Sequence, residues 1–554
     1  MRLTKPGPFT LGTLVALFAI LAALAPSAST ASARARSALS PTPGASSFGY
    51  QNYGAPLTAP YSNTAGEPSI GDNFNTGNVL YQSSLATVRV TFSDKGTPTT
   101  TTPPTAVFTD VSNLSTSATS LDEGLFTDHT TGRTYVTQLG GATSFAAFTD
   151  DDGATQPFTQ GVIPPTNDVD HETIGGGPFA TGATIPITTL PTTSYPHALY
   201  YCSQGIADAG CELSRDGGLT FGPTMKMYAS DLTSVVSGVP APGTCGGLHG
   251  HVKVAPDGTV YVPNKGCEDA NGVLRQGLAV STDNGTTWSV RTISGTTASG
   301  VPFSSTNSIW DPSVGLGANN TVYFGYRDGD GTAHIAVSHD RGQTWVNDTN
   351  VGAPFNIARS AFPAVVAGDD DRASYAFLGT PSNVGGADSD GAPGFVGVWH
   401  LYIATTTDGG QTWSTVDATP NNPVQRGAIC SGGTSCTANS GDNTRNLLDF
   451  MDATVDKYGR VLVGYDDGCI DACDQGGDAG TNPNSFTAYA TIARQTAGPR
   501  LFAQYDPQGT GAGGGVPPTA TPEPGSGALY GTGLVAVLAT VALWRRRVRR
   551  APRS

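Results

Sequence analysis

Charge is scarce in this chain, and positive charge scarcest: only 13% of the 554 residues are charged, with 29 Lys and Arg against 44 Asp and Glu. Eight of those basic residues sit in segments 1–33 and 545–554, which hold no acid, so the body between them carries −23. That balance excludes nucleic acid as a partner. Helical periodicity is nearly absent between residues 60 and 500, which excludes a helical architecture. None of the eight Cys falls in a Cys-x-x-Cys pair and no His stands at finger spacing, which argues against a structural zinc site.

Gly and Pro are abundant, at 72 and 39 residues, and they punctuate short alternating runs. Two long apolar runs stand at the ends. Residues 1–33 read as a secretory signal: Arg2 and Lys5, the run Leu11–Leu24, then Ala31-Ser32-Ala33. Residues 527–544 carry no charge and can span a bilayer, and the Arg cluster from Arg545 fixes that tail on the cytoplasmic side. The expected order is signal 1–33, linker 34–60, a β domain 61–503, Pro/Gly-rich linker 504–526, membrane helix 527–544 and basic tail 545–554. Export to the cell surface as an anchored monomer follows. In an exported chain the cysteines should be oxidised, and they fall into four local couples: Cys202 with Cys211, Cys245 with Cys267, Cys430 with Cys436, and Cys469 with Cys473. Other connectivities are open to eight cysteines, and the local pairing is the expectation.

One octet, Ser-x-Asp-x-Gly-x-Thr-aromatic, recurs through the body. Its Asp stands at Asp94, Asp151, Asp216, Asp283, Asp340 and Asp408, at intervals of 57 to 68 residues. A period held that long marks a repeat architecture. Residues 309–349 read as four short strands with a turn between each, one blade of a β-propeller. Parallel units start near Gly66, Asp122, His171, Leu248, Asp311, Phe362 and Phe450, which predicts an all-β propeller of seven four-stranded blades, with six as the alternative. The octet falls in the third-to-fourth-strand turn, where a short carboxylate accepts backbone N–H groups and Gly supplies positive φ. Its Asp serves shape.

The octet resembles the Asp box, or BNR repeat, of the sialidase superfamily, with Asp283, Asp340 and Asp408 matching fully if Thr406 replaces Ser. The resemblance implies a propeller and, in many members, glycoside hydrolysis; sortilin-like members bind without catalysis. Pro522-Glu523-Pro524 ahead of the apolar run and Arg cluster resembles the PEP-CTERM sorting signal, with an ordinary stop-transfer anchor as the alternative. A sialidase motif is missing: Gly66-Glu67-Pro68 stands where that family has Arg-Ile-Pro, and Arg327 is the only Arg placed firmly at the mouth.

Strand entries and second-to-third-strand turns should share the face opposite the octets, and there six of seven entries carry an acid or His. The candidate catalytic groups are Glu172, Asp311, Asp452 and His251, because a pair of carboxylates with distinct protonation states can cleave a glycosidic bond. His171, His249, Tyr326, Arg327, Asp328 and Asp466 are the candidate substrate contacts. His400 heads a third strand on the same face. "DGDG" at 328–331 and "ADSDGAPG" at 387–394 partly match calcium loops, which makes Ca²⁺ the one candidate cofactor. Two functions follow: a surface glycosidase acting on an extracellular glycan, or a non-catalytic propeller that binds a glycan or a surface protein.

Overall fold

The computed structural model describes residues 30–32 and 48–507, except 98–102, 114, 116–121, 140–143, 156, 164–167, 184–194, 206–207, 230–243, 247–248, 295–308, 383–389, 393, 432–435, 437–443 and 480–482. Seven antiparallel sheets form a seven-bladed β-propeller. The innermost strands, in chain order, are Ser69–Asn73, Glu123–Thr127, Asp168–Pro178, Lys253–Val254, Ser313–Leu316, Arg359–Ala367 and Asp452–Val455. Thr30–Ser32 adds a fifth strand to the outer edge of blade 1. Among the described residues no helix is long and apolar enough to cross a membrane. The predicted helix 527–544 lies outside them.

Blade faces pack on one another, so strands are buried on both sides, as in Val322–Arg327, where all six residues are buried. The alternation there is one of size rather than polarity, with Gly325 between Phe324 and Tyr326. Seven apolar clusters fill the seven junctions between blades. Near the axis the inner strands almost touch: a Cβ on Gly175 would lie 2.5 Å from the Val252 carbonyl oxygen of the next blade. Only glycine allows that approach.

Blade 7 corrects the expected linker 34–60. Its outer strand is Gly49–Gly54, paired antiparallel with Tyr489–Ala497 from the other end of the domain. Opening the ring therefore requires tearing a sheet. The closure also explains why blade 7 lacks an octet: its third and fourth strands are not consecutive in the chain.

Five octets make one hydrogen-bond pattern. In blade 5, Ser338 Oγ donates to Asp340 Oδ1 (2.8 Å), Thr344 N–H to the same oxygen (2.8 Å), Thr344 Oγ1 to Oδ2 (2.6 Å), and Gly342 N–H to Ser338 Oγ (2.8 Å). Asp151, Asp216, Asp283 and Asp408 repeat it. Each Asp is followed by two residues of positive φ, Arg341 and Gly342 in blade 5. Burial opposes ionisation of Asp340, but the Thr344 and Ser338 donors outweigh it and hold the carboxyl below its ordinary range. Octet side chains also reach the inner hairpin of the preceding blade: Arg341 pairs with Asp257 (2.8 Å), and Asp152 accepts from Asn73 (2.6 Å).

Asp94 of blade 1 departs from this pattern. It is buried against two arginines of blade 7, Arg494 (3.0 Å) and Arg460 (3.6 Å), which also meet Asp456. The same sequence position that closes a turn in five blades here locks the ring.

All four disulfides take the local pairing. Cys202 bonds to Cys211 and Cys245 to Cys267, both across neighbouring strands or strand ends, with Cα atoms 4.0 Å apart in each pair. Cys430 bonds to Cys436 and Cys469 to Cys473, which close loops of blades 6 and 7 with Cα separations of 6.1 and 5.2 Å. No described cysteine is free, and all four bridges lie toward the end opposite the octets.

Candidate functional site

The inner strands enclose an axial lumen of about 380 Å³. At the strand starts, opposite the octets, it is lined by Ser69, Glu172, His251 and Asp452; at the octet end by Asp128, His129, Thr130, His197 and Pro256. The two ends differ in access. Ser69, Glu172 and Asp452 are 1%, 3% and 7% exposed, whereas Thr130 and Pro256 are solvent-exposed.

Opposite the octets, most of the expected mouth's lining is buried. The strand entries do converge there: Glu172, His249 and Asp452 are buried, His251 and Asp311 are half-buried, and aromatic rings pack nearby. Trp310 and Phe362 meet edge to face at 4.7 Å, and Phe450 of blade 7 meets His251 of blade 4 edge to face at 4.6 Å. Each ring lies within a residue or two of a strand entry in sequence, and Trp310 and Phe362 are part of the apolar cluster between blades 6 and 7.

The backbone there is bent in a recurring way. Glu67, His171, Phe362 and Leu448 each have positive φ a few residues ahead of a lumen-lining position. In blades 3 and 6 these residues sit in β-bulges. Bulky side chains in this region cost about 1–3 kcal/mol each and are kept where surrounding structure requires them. The bulge in blade 3 re-aims the following residue, Glu172, so that it lines the lumen.

Two carboxylates at this end are held by cations. Asp311 lies 3.0 Å from His171 Nδ1 and 3.2 Å from Lys265 Nζ. Burial alone would raise its pKa, but Lys265 and then His171 outweigh it and keep the carboxyl well below the usual range. His171 Nδ1 also faces the His249 carbonyl oxygen (3.2 Å), so that nitrogen carries a proton. Asp452 accepts N–H groups from Ala453 (2.8 Å) and Ile70 (3.3 Å), with His251 Nδ1 and Lys253 Nζ each 3.9 Å away. Lys253 and His251 belong to blade 4 and Asp452 to blade 7, so this contact crosses the lumen. Burial depresses His249 and His251 to about 4, leaving both neutral at neutral pH.

Beside this pair, buried carboxylates of blades 7, 1 and 2 gather away from the lumen. Burial, then Asp122, Asp449 and Glu123, raise Glu67 well above the carboxylate range; burial, then Glu123 and Asp467, do the same to Asp466. Arg445 holds Asp449 through two bonds of 2.7 and 2.5 Å. Asp466, expected as a substrate contact, is thus a buried member of this cluster.

The blade 5 candidates all bond within the protein. Arg327 is 1% exposed and engaged by Asp390 (2.5 Å) and the Ser360 carbonyl (3.0 Å). Tyr326 donates to Asp348 (3.1 Å), and Asp328 closes a buried turn through Gly331 N–H (2.9 Å). The Asp390 pairing also removes a ligand from the expected calcium loop, whose residues 387–389 lie outside the described residues. Among the described residues no three His, Cys, Asp or Glu are placed to hold a metal ion.

Sequence reasoning missed the octet-end rim. Asp128 accepts from His197 Nδ1 (2.9 Å) and Tyr195 OH (2.7 Å), and His129 stacks on Phe74 with centroids 3.9 Å apart. The signal was present in Asp128-His129, directly after a strand, but in the first-to-second-strand turn on the face assigned to structure.

No family model and no curated protein matches this chain. Among solved structures it is similar to a protein of unknown function from Dyadobacter fermentans (13% identity, 79% of this chain and 96% of that one, TM-score 0.34). It is also similar to an α-L-arabinofuranosidase from Fusarium graminearum (11%, 67% and 91%, 0.35) and to Trypanosoma rangeli sialidase (12%, 67% and 54%, 0.32). At these identities and scores none of them assigns this chain a ligand or a reaction.

Proposed function

We propose that this protein is an exported, surface-displayed Asp-box propeller that binds an extracellular glycan in its axial lumen without cleaving it. The observation that carries this reading is the state of the candidate carboxylates. Asp311 lies outside the lumen lining and is neutralised by Lys265 and His171. Asp452 is fixed by two backbone N–H groups and flanked by Lys253. Two-carboxylate hydrolysis needs one group free to attack or activate water and another poised to donate a proton. A carboxylate engaged on all sides orients a ligand better than it attacks one. Four disulfides, the signal-like start and the anchor-like end support an extracellular setting.

The test is calorimetric titration of the full-length chain with neutral oligosaccharides, with mass spectrometry of the same mixtures. Binding that Asp452→Asn weakens, with no shortened sugar, is the expected result. Release of product by the wild-type chain, lost in Asp452→Asn or Glu172→Gln, would overturn it in favour of hydrolysis.

A further inference from the structure

The lumen has two ends, and their accessibility opposes the arrangement expected from the strand entries. At the strand starts Ser69, Glu172 and Asp452 are buried, His251 is 22% exposed, and the Phe450–His251 contact joins blades 7 and 4. At the octet end the lining reaches solvent at Thr130 and Pro256. A volume of about 380 Å³ lies at the low end of the range of small-ligand sites. The wall is made of inner strands whose axial edges pair with no neighbour in the sheets, so it presents backbone N–H and C=O groups as well as small apolar side chains.

The rim of this open end is built. Asp128 is 3% exposed and held by four donors: His197, Tyr195, and the Thr130 (2.9 Å) and Thr131 (3.4 Å) N–H groups. Burial opposes its ionisation, but those donors prevail and lower its pKa to about 2. Thr131 Oγ1 in turn meets Tyr195 OH at 3.0 Å, which fixes the phenol. Beside it, His129 and Phe74 stack nearly parallel, at 11°, and Phe502 packs edge-on against Phe74. Burial depresses His129 to about 4, so the stack is uncharged at neutral pH. The uncharged His129 ring and the Thr130 hydroxyl beside it suit a sugar, whose C–H face lies on the ring and whose hydroxyls bond to the polar side chain, while Asp128 fixes His197 and Tyr195 behind them.

We infer that ligand enters the lumen from the octet face, and that His129, Thr130 and His197 hold the terminal residue of a neutral glycan there. This rests on the glycan-binding reading for ligand class, but not for the route. The buried end, with Ser69, Glu172 and Asp452, then forms the floor of the site.

The route can be tested without any sugar. Ser69→Cys places a thiol on the floor, and Thr454→Cys is a second reporter on the inner strand of blade 7 should the first misfold. The rate of modification by a small methanethiosulfonate reagent is measured in each, with and without Thr130→Trp plus Pro256→Trp at the octet rim. Occluding the entrance should slow labelling roughly tenfold or more, while Phe450→Ala at the opposite end should change it little. Labelling unaffected by the rim substitutions but accelerated by Phe450→Ala overturns the route. The same rim variant and His129→Ala are titrated with neutral oligosaccharides. Loss of binding in both supports the sugar assignment, and unchanged affinity in both refutes it. Slowed labelling with no sugar bound by the wild-type chain sinks the glycan reading alone and leaves the route standing.

Discussion

The two ends of the propeller axis are built by opposite strategies. At the octet end, five turns repeat one set of bonds around Asp151, Asp216, Asp283, Asp340 and Asp408, each within four residues of its Asp. At the other end the backbone bend recurs but the side-chain bonds do not. Asp311 draws on Lys265 and His171, Glu67 shares its surroundings with Asp449 and Asp122, and the disulfides differ in span, from 22 residues between Cys245 and Cys267 to 4 between Cys469 and Cys473. Repetition marks residues that make the fold, and its absence marks residues whose partners come from other blades. Function straddles the two, because the lumen floor lies at the irregular end and its opening at the regular one.

The sharpest way to break this comparison uses one motif position in two blades. Asp94→Ala removes a carboxylate between Arg494 and Arg460 and should cost about 3–5 kcal/mol, because it leaves two buried cations sharing Asp456 alone. Asp340→Ala, at the equivalent place, removes only local turn bonds and should cost about 1–2 kcal/mol. Urea unfolding of both variants reads the difference. Equal costs would mean that Asp94 also acts through its turn. Between these lies replacement of Cys245 and Cys267 by Ala, expected to cost about 3 kcal/mol from the loop it releases. Its effect should appear in thermal unfolding under oxidising conditions and vanish in reductant.

The smaller effects are in pH. His400 bonds to Asp417 (3.3 Å) and Asp478 (2.7 Å), and although burial opposes its charge these partners raise it to about 10. A base raised on folding stabilises fully below its unfolded pKa and loses that contribution as pH climbs toward 10. His400→Gln should therefore lower Tm at pH 6 and flatten the decline between pH 7 and 10. Glu67 is the reverse case, a carboxyl raised by burial and by neighbouring acids. An acid raised on folding costs stability once pH passes its unfolded value, so Glu67→Gln should raise Tm modestly at pH 8 and not at pH 4. A fall at pH 8 would mean that the carboxylate is stabilised by a partner instead.

Much of the fold was legible because its determinants are local. The octet carries Gly and Thr at fixed offsets from its Asp, so it could be recognised wherever it occurred, and its 57 to 68 residue interval set the blade size. The disulfides were legible for the same reason, since Cys202 and Cys211, or Cys430 and Cys436, flank a single turn or loop. What could not be read depends on distant partners. Gly49–Gly54 pairs with a strand more than 400 residues away, and nothing in "GYQNYG" announces it. Arg327 looked like a substrate contact because Asp390, its partner, lies 63 residues on in a different blade. The polar strand entries could be read from the sequence, but the aromatic contacts beside them, Trp310 with Phe362 and Phe450 with His251, join distant segments and could not. His251, Glu172 and Asp452 do come together at the lumen, from blades 4, 3 and 7, because the inner strands of every blade start at one level.

The most direct test sets one residue from each strategy against the other. Asp340→Ala and Asp452→Asn are each measured for Tm and for oligosaccharide affinity. The account predicts that Asp340→Ala lowers Tm and leaves affinity intact, while Asp452→Asn weakens affinity with the smaller change in Tm. If Asp340→Ala abolished binding at a temperature where the fold is intact, or Asp452→Asn left affinity unchanged, the division between a shaping octet and a ligand-holding lumen would be wrong.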